Sequence, residues 1–248
     1  MNQTASSVSF LAVPIDGVAA YWLSLKKLQG NSRNMRSLEA ESQFVAEPFI
    51  RHLLDMLIAQ LPAARIQQLA EICRKNEMDR MDRQFDLIRI AVLDAATGEN
   101  PLRTLARITA RYPFPAADPQ GMLDTAQNHV AAVSSGALSL DAYTINHRLS
   151  DETLTTALLF YTTLSRRHGK AACRTFLPQE GSVFFTDALS LVVDGFDAPF
   201  IRKWMKRYKM TVLADINRKI ALSTDMCAAM AERIPFEEMR FLVRSYIR

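Results

Sequence analysis

Apolar side chains recur at every fourth position along one long segment near the end of the chain. The positions are Phe200, Trp204, Tyr208, Val212, Ile216 and Ile220. Because an α-helix completes a turn in about 3.6 residues, this spacing predicts a long helix with one broad buried face. Asp197 and Pro199 lie just before it and are a capping acid and a proline suited to a first helical turn. We therefore expect the helix to begin near Phe200.

Helical spacing also recurs elsewhere, as in the stripe formed by Leu154, Leu158, Tyr161 and Leu164. Only 8 of the 248 residues are glycine, about half the usual share of ~7%, and sheets with tight turns need more glycine than this. The sequence therefore predicts an all-α protein of about nine or ten helices, packed as a bundle or orthogonally. With 49% hydrophobic residues, the chain can fill a core without metals or disulfides.

The densest cluster of helix-breaking residues is the segment YPFPAADPQG at residues 112–121, which holds three prolines and a glycine. Proline and glycine interrupt regular structure, so we expect a boundary here. The boundary would separate an N-terminal helical subdomain, residues 1–111, from a C-terminal basic helical subdomain, residues 122–248. The alternative is one continuous core in which this segment joins two helical layers.

The net charge of the chain is +4, and it is unevenly distributed. Residues 1–150 hold as many acidic as basic side chains, so residues 151–248 carry the whole positive excess. A basic second half favours an acidic partner, such as nucleic acid, a membrane surface or an acidic protein face. An excess this small is equally compatible with no such partner.

The cysteines and the apolar runs predict a cytoplasmic protein. Cys73, Cys173 and Cys227 lie far apart and form no CxxC pair, which is typical of reduced thiols in a cytoplasm. The apolar run near the start, VSFLAVPIDGVAAYWLSL, is interrupted by Pro14 and Asp16. It is too short to span a bilayer, so we expect no transmembrane segment.

Motifs that carry chemistry are not recognisable in the sequence. The four histidines are scattered, and there is no glycine-rich phosphate loop or nucleophile elbow. Asp79, Asp82 and Asp86 share one helix face and could hold a hard cation, but Arg80 and Arg83 interleave them, which favours a salt-bridged surface. We therefore predict no catalytic, cofactor-binding or metal-binding residues. An enzyme with a dispersed site is the least favoured alternative.

Basic residues supply the candidate contact surfaces. Five of them follow Phe200 within the predicted long helix, and two more end the helix predicted from Asp151. One interpretation is a solvated helix face whose long stems cover the edge of the core. The other is a surface that donates charge-assisted hydrogen bonds to carboxylates or phosphates. The candidate partner-binding residues are Arg166, Arg167, Arg202, Lys203, Lys206, Arg207 and Lys209.

Residues 154–216 contain a recognisable order of features. An apolar helix, ALLFYTTLSRRHG, is followed by the pattern F-x-x-D-x-L-x-L-x-x-x-G and by the charged helix; the pattern consists of Phe184, Asp187, Leu189, Leu191 and Gly195. This order resembles the cytoplasmic region of MotA-type flagellar stator subunits. The resemblance implies that Arg166 matches an arginine that meets the rotor's switch protein, whereas Arg174 stands where the family has a glutamate. Stator subunits have four membrane spans, so the resemblance implies a soluble relative of their cytoplasmic module.

The features together predict a non-enzymatic helical adaptor or structural subunit of a larger bacterial-type assembly, such as a membrane-associated, motor or secretion assembly. We expect it to bind a protein partner with an acidic face through its basic helix surfaces, and to need no cofactor. A nucleic-acid-binding helical module is the alternative. An oligomer is compatible with the sequence, which names neither the partner nor the number of subunits.

Overall fold

The computed structural model describes residues 10–30, 35–134, 143–177 and 181–247. These residues form ten α-helices, one 3-10 helix and no β-strand. The prediction of an all-α fold is confirmed, and the predicted nine or ten helices are close to the eleven found.

The helices follow one another with short connections. In chain order they are α1 (Ile15–Gln29), α2 (Arg36–Ser42), α3 (Pro48–Ile58), α4 (Ala63–Thr97), α5 (Pro101–Thr109), α6 (Pro119–Ser134), α7 (Asp151–His168), the 3-10 helix (Lys170–Phe176), α8 (Val183–Val193), α9 (Ala198–Ala231) and α10 (Phe236–Ile247).

The chain divides into two compact units. The first comprises residues 1–79 and 211–248, and the second comprises residues 80–210. The long helices α4 and α9 therefore each contribute to both units. The subdomain boundary predicted at residues 112–121 lies inside the second unit, between α5 and α6. The division of the chain into two subdomains at residues 112–121 stays a prediction.

In the first unit, α1 packs against α2 and α10, and α2 packs against α3. The core of this unit is formed by buried apolar side chains. Among them are Trp22 on α1 and Leu53 on α3, which are both fully buried. The backbone of Phe10 is fixed by two buried side chains. Lys219 Nζ donates to the Phe10 carbonyl at 2.7 Å, and the Phe10 N–H donates to Glu47 Oε2 at 3.1 Å. The backbone N–H and C=O of Phe10 are thus both hydrogen-bonded away from water.

In the second unit, α7 is the central helix and packs against α5, α6 and the 3-10 helix. It begins where Ser150 Oγ accepts a hydrogen bond from the Thr153 N–H, as an N-cap serine does. Every residue from Leu154 to Ser165 except Thr156 is buried on this helix. The Tyr161 hydroxyl lies within hydrogen-bonding distance of the carbonyls of Tyr143 and Phe176, at 3.0 and 2.9 Å.

Helix α4 runs through 35 residues because neither proline nor glycine interrupts it. One sequence-based expectation about a helix is wrong in detail. The apolar stripe of α9 was expected to include Phe200 on its buried side. Phe200 is instead 46% exposed, and the buried face is centred on Ile201 and Met205, which are fully buried.

Candidate functional site

The first turns of α9 carry four exposed cations, which we call the basic face: Arg202, Lys203, Lys206 and Arg207. The helix starts at Ala198, where Asp197 Oδ1 accepts a hydrogen bond from the Phe200 N–H at 2.7 Å. This is the capping that the sequence predicted. Ile201 and Met205 bury the opposite side. The geometry of the helix therefore directs the basic face toward solvent.

An exposed aromatic pair lies at the N-terminal end of the basic face. The rings of Phe196 and Phe200 stack with their centroids 5.1 Å apart and an interplanar angle of 25°, and the two residues are 44% and 46% exposed. Sequence reasoning missed this pair because it assigned Phe200 to the core stripe. Phe196 could have indicated this pair. It lies four residues before Phe200, in an acidic turn that is not part of any apolar stripe. Stacked apolar rings beside cations can make both apolar and ionic contacts with a partner.

Lys209 differs from the other cations of α9. Its side chain is 14% exposed, and its ammonium lies 2.8 Å from both Asp82 Oδ1 and Asp86 Oδ1. Asp86 also accepts a hydrogen bond from Arg89 at 3.1 Å. The charge of Lys209 is thus met by carboxylates of α4 inside the second unit. Of the seven candidate partner-binding residues, this one has a clear structural role in the fold.

The acidic row of α4 is salt-bridged, as expected, but its partners are different. The sequence suggested Arg80 and Arg83, which interleave the carboxylates. Instead Lys209 binds Asp82 and Asp86, while Arg83 Nε pairs with Asp151 Oδ2 at 2.8 Å. Side chains adjacent in sequence point to different sides of a helix, so Asp82 and Asp86 pair with Lys209 of α9, and within α4 Asp86 pairs with Arg89, three positions further on.

Arg166 and Arg167 are exposed at the C-terminal end of α7. There they are favourably placed against the negative end of the helix dipole. Arg166 Nη1 lies 3.4 Å from the carbonyl of Gly98, just after α4. Arg174, at the position where the stator family has a glutamate, pairs with Asp194 at 3.0 Å.

His147 and Ser182 form a buried polar pair. His147 Nε2 lies 2.9 Å from Ser182 Oγ, and the residues are 8% and 3% exposed. Burial and the nearby Arg80 guanidinium lower the pKa of His147 to about 4. Ser182 also caps α8 by accepting a hydrogen bond from the Phe185 N–H. This contact between a neutral histidine and a serine, both buried, links the segment before α7 to the start of α8.

A cleft of about 600 Å³ lies beside α6 and α7 in the second unit. Four of the residues that line it are titratable: Asp118, His129, Tyr143 and Glu152. The volume is in the range of small-molecule sites. Sequence reasoning missed the cleft because these side chains come from different elements and have no motif spacing. Only the packing of α6 against α7 brings them together.

The described ranges contain no group of three or more histidine, cysteine or acidic side chains placed to hold a metal ion. In the same ranges, no helix is both long and apolar enough to cross a membrane. Comparisons with protein-family models, with curated proteins and with solved structures found no match.

Proposed function

We propose that this protein is a non-enzymatic helical subunit that binds a protein partner with an acidic face through the basic face of α9. The observation that carries the proposal is the position of Arg202, Lys203 and Lys206. They are exposed, and none of them forms an ion pair with a carboxylate in the described part of the chain. The buried Ile201 and Met205 lie on the other side of the helix, so these three side chains are available for contacts with another molecule.

The aromatic pair gives the proposed surface an apolar anchor. Interfaces gain most of their stability from a few buried aromatic and arginine residues, and surrounding charges add orientation and speed of association. Phe196 and Phe200 are half-exposed at one end of the basic face, so a partner could cover both groups together. The expected partner surface is therefore acidic with an apolar centre.

A bacterial-type assembly is the proposed setting, on the basis of the stator-like order of α7, α8 and α9. Arg166, which corresponds to the family's contact arginine, is exposed at the end of α7. The ion pair between Arg174 and Asp194 supports a contact different from that of the family, because the charge at this position is reversed and met within the chain. Arg166 and Arg167 are thus proposed as a second, smaller contact.

The test is a comparison of two triple charge reversals by quantitative affinity purification from cells that produce the protein. The first variant is Arg202→Glu, Lys203→Glu and Lys206→Glu. The matched control is Arg65→Glu, Lys75→Glu and Lys170→Glu, which reverses three exposed cations elsewhere and changes the net charge equally. We expect an acidic partner to be retained by the control, lost with the first variant and released by added salt. Equal recovery with both variants would refute the proposal.

Nucleic acid is the second candidate partner, and the exposed aromatic pair favours it. Bases stack on exposed rings, and cations beside them can track the phosphate backbone. Fluorescence anisotropy with a single-stranded oligonucleotide at low salt separates the two. Binding that is lost both in the triple α9 variant and in Phe196→Ala with Phe200→Ala would replace the protein partner with a nucleic acid.

A further inference from the structure

Phe10 occupies a pocket of the first unit that is formed by the start of α3 and the later turns of α9. The residue is 2% exposed, and its ring packs against that of Phe49 on α3, with the two centroids 6.0 Å apart. The residues that follow are not held in the same way, since Leu11, Ala12 and Pro14 are exposed. Phe10 is the only buried residue among the described ones that precede α1. It therefore anchors this segment to the unit.

Two buried side chains of opposite charge bind the backbone of Phe10. Glu47, the N-cap residue of α3, is 8% exposed, and its Oε2 accepts a hydrogen bond from the Phe10 N–H at 3.1 Å. Lys219 of α9 is 3% exposed, and its ammonium donates to the Phe10 carbonyl at 2.7 Å. In peptide-binding sites, backbone hydrogen bonds of this kind contribute affinity, and a pocket for one side chain contributes specificity. The pocket has both features, and a polypeptide segment occupies it.

The two charges of the pocket have other compensation besides Phe10. Lys219 forms an ion pair with Asp215, one turn earlier on α9, whose side chain is 45% exposed. Glu47 precedes the first turn of α3, where the helix dipole favours a negative charge. Breaking a buried ionic contact is most destabilising when it leaves a charge without any compensation. Because departure of Phe10 leaves neither charge in that state, the pocket can be emptied and filled again.

We propose that this pocket is a peptide-docking site, and that a phenylalanine-bearing segment of another polypeptide can occupy it in place of Phe10. The incoming ring would pack against Phe49, while the N–H and the carbonyl of the same residue would bind Glu47 and Lys219. The chain's own segment is then a tethered competitor that keeps the pocket filled until a partner segment displaces it. The pocket belongs to the first unit and does not depend on the function proposed for the basic face of α9, which belongs to the second.

The test is fluorescence anisotropy of the full chain with a labelled peptide of the sequence SFLAVPI, which corresponds to residues 9–15. We expect the peptide to bind the Phe10→Ala protein at least about tenfold more tightly than the parent chain, because a tethered alanine buries much less apolar surface than phenylalanine. A peptide that itself carries Phe10→Ala should bind at least about tenfold more weakly than the unmodified one. No binding to the Phe10→Ala protein at millimolar peptide, with the fold verified by circular dichroism, overturns the proposal.

Recognition of the backbone is tested with a peptide that is N-methylated at the phenylalanine nitrogen. This peptide lacks the N–H that Glu47 accepts, so it should bind at least about tenfold more weakly. Lys219→Met, made in the Phe10→Ala protein, should weaken binding of the unmodified peptide by a similar factor. The matched control is Lys75→Met, an exposed lysine of α4, which should leave binding unchanged. Equal binding of the methylated and unmodified peptides would refute the proposed site.

The unaltered chain provides a second measurement that does not require the Phe10→Ala protein to fold. Hydrogen exchange at the Phe10 amide is followed by NMR as the peptide is added. A peptide in the pocket deprives the chain's own Phe10 N–H of its acceptor, so exchange at this amide should accelerate with peptide concentration. Exchange at the Leu53 amide, within α3, should not change and serves as the control for general unfolding. A Phe10 exchange rate that is constant up to millimolar peptide contradicts the proposal.

Discussion

Lys209 Nζ lies 2.8 Å from Asp86 Oδ1, and this ion pair ties α9 to α4 within the second unit. Each of the two side chains is 14% exposed. An ion pair so little exposed to water is screened weakly, and loss of one partner leaves the other charge poorly solvated. Lys209 and Lys206 are thus neighbours in sequence with different roles, one structural and one available for contacts.

Lys209→Ala should lower the free energy of unfolding by about 1–3 kcal/mol, because Asp82 and Asp86 lose a shared cation. The matched control is Lys206→Ala, an exposed lysine one turn earlier, which should change stability by about 0.5 kcal/mol or less. Urea denaturation followed by circular dichroism measures both. If the two variants are equally stable, the Lys209 ion pairs contribute nothing to the fold.

Arg107→Ala should also destabilise the protein, because Arg107 pairs with Asp94, which is 3% exposed. Burial raises the pKa of the Asp94 carboxyl above its ordinary value, and Arg107 opposes that rise. We expect a loss of about 2 kcal/mol at neutral pH, since a nearly buried carboxylate is left without its cation while Arg107 itself is half-exposed.

The deficit of Arg107→Ala should shrink as the pH is lowered. A carboxyl whose pKa is raised on folding takes up a proton more readily in the folded state, so acid relieves the charge that Arg107 no longer balances. Adding Asp94→Asn to the variant should restore part of the stability at neutral pH. Arg103→Ala is the control, because Arg103 and Glu99 form a pair at the surface, which is screened by water and contributes little to stability. A deficit that is independent of pH would show that the charge of Asp94 is not its cause.

The helical fold was predictable because it follows from local spacing. The α9 stripe, the Asn100 cap whose side chain accepts from the Leu102 N–H, and the scarcity of glycine all act over a few residues. The error at Phe200 has a local cause as well. A spacing of four drifts around a helix of 3.6 residues per turn by about 40° each step, so the six-residue stripe cannot keep one side buried throughout.

The contact surfaces were only partly predictable, because they depend on tertiary packing. Lys209 could not be distinguished from Lys206 by sequence, since the difference arises from α4 carboxylates more than a hundred positions away. The cleft depends in the same way on how α6 meets α7. Asp118 and Glu152 each resemble ordinary helix-start acids until the fold brings them to one concave surface.

Cysteine reactivity offers a direct check of burial. Cys173 and Cys227 are buried, and burial raises the pKa of each thiol to about 12. Cys73 is only half-buried on α4. Because the thiolate is the reactive form, we expect Ellman's reagent to modify Cys73 first and the other two only when the protein unfolds. In Cys73→Ser the rapid phase should vanish. A rapid phase that survives this substitution would show that a buried thiol is accessible.

The buried pair of His147 and Ser182 predicts a loss of stability in mild acid. Folding lowers the pKa of His147 from 6.5 to about 4, so the unfolded chain takes up a proton in a pH range where the folded chain does not. The stabilisation is complete above about pH 6.5 and is lost as the pH falls toward about 4, on the order of 3 kcal/mol in all.

The measurement is urea denaturation between about pH 4 and pH 7, compared with two single variants. His147→Phe keeps an aromatic ring beside Phe85, whose centroid lies 4.8 Å from the imidazole, and removes the titrating group. Its stability should depend less on pH in this range than that of the parent chain. His168→Gln, an exposed histidine at the end of α7, should keep the parent's pH dependence. If His147→Phe loses stability in acid as steeply as the parent does, a group other than His147 causes the loss, because the variant has no imidazole at this position to take up a proton on unfolding.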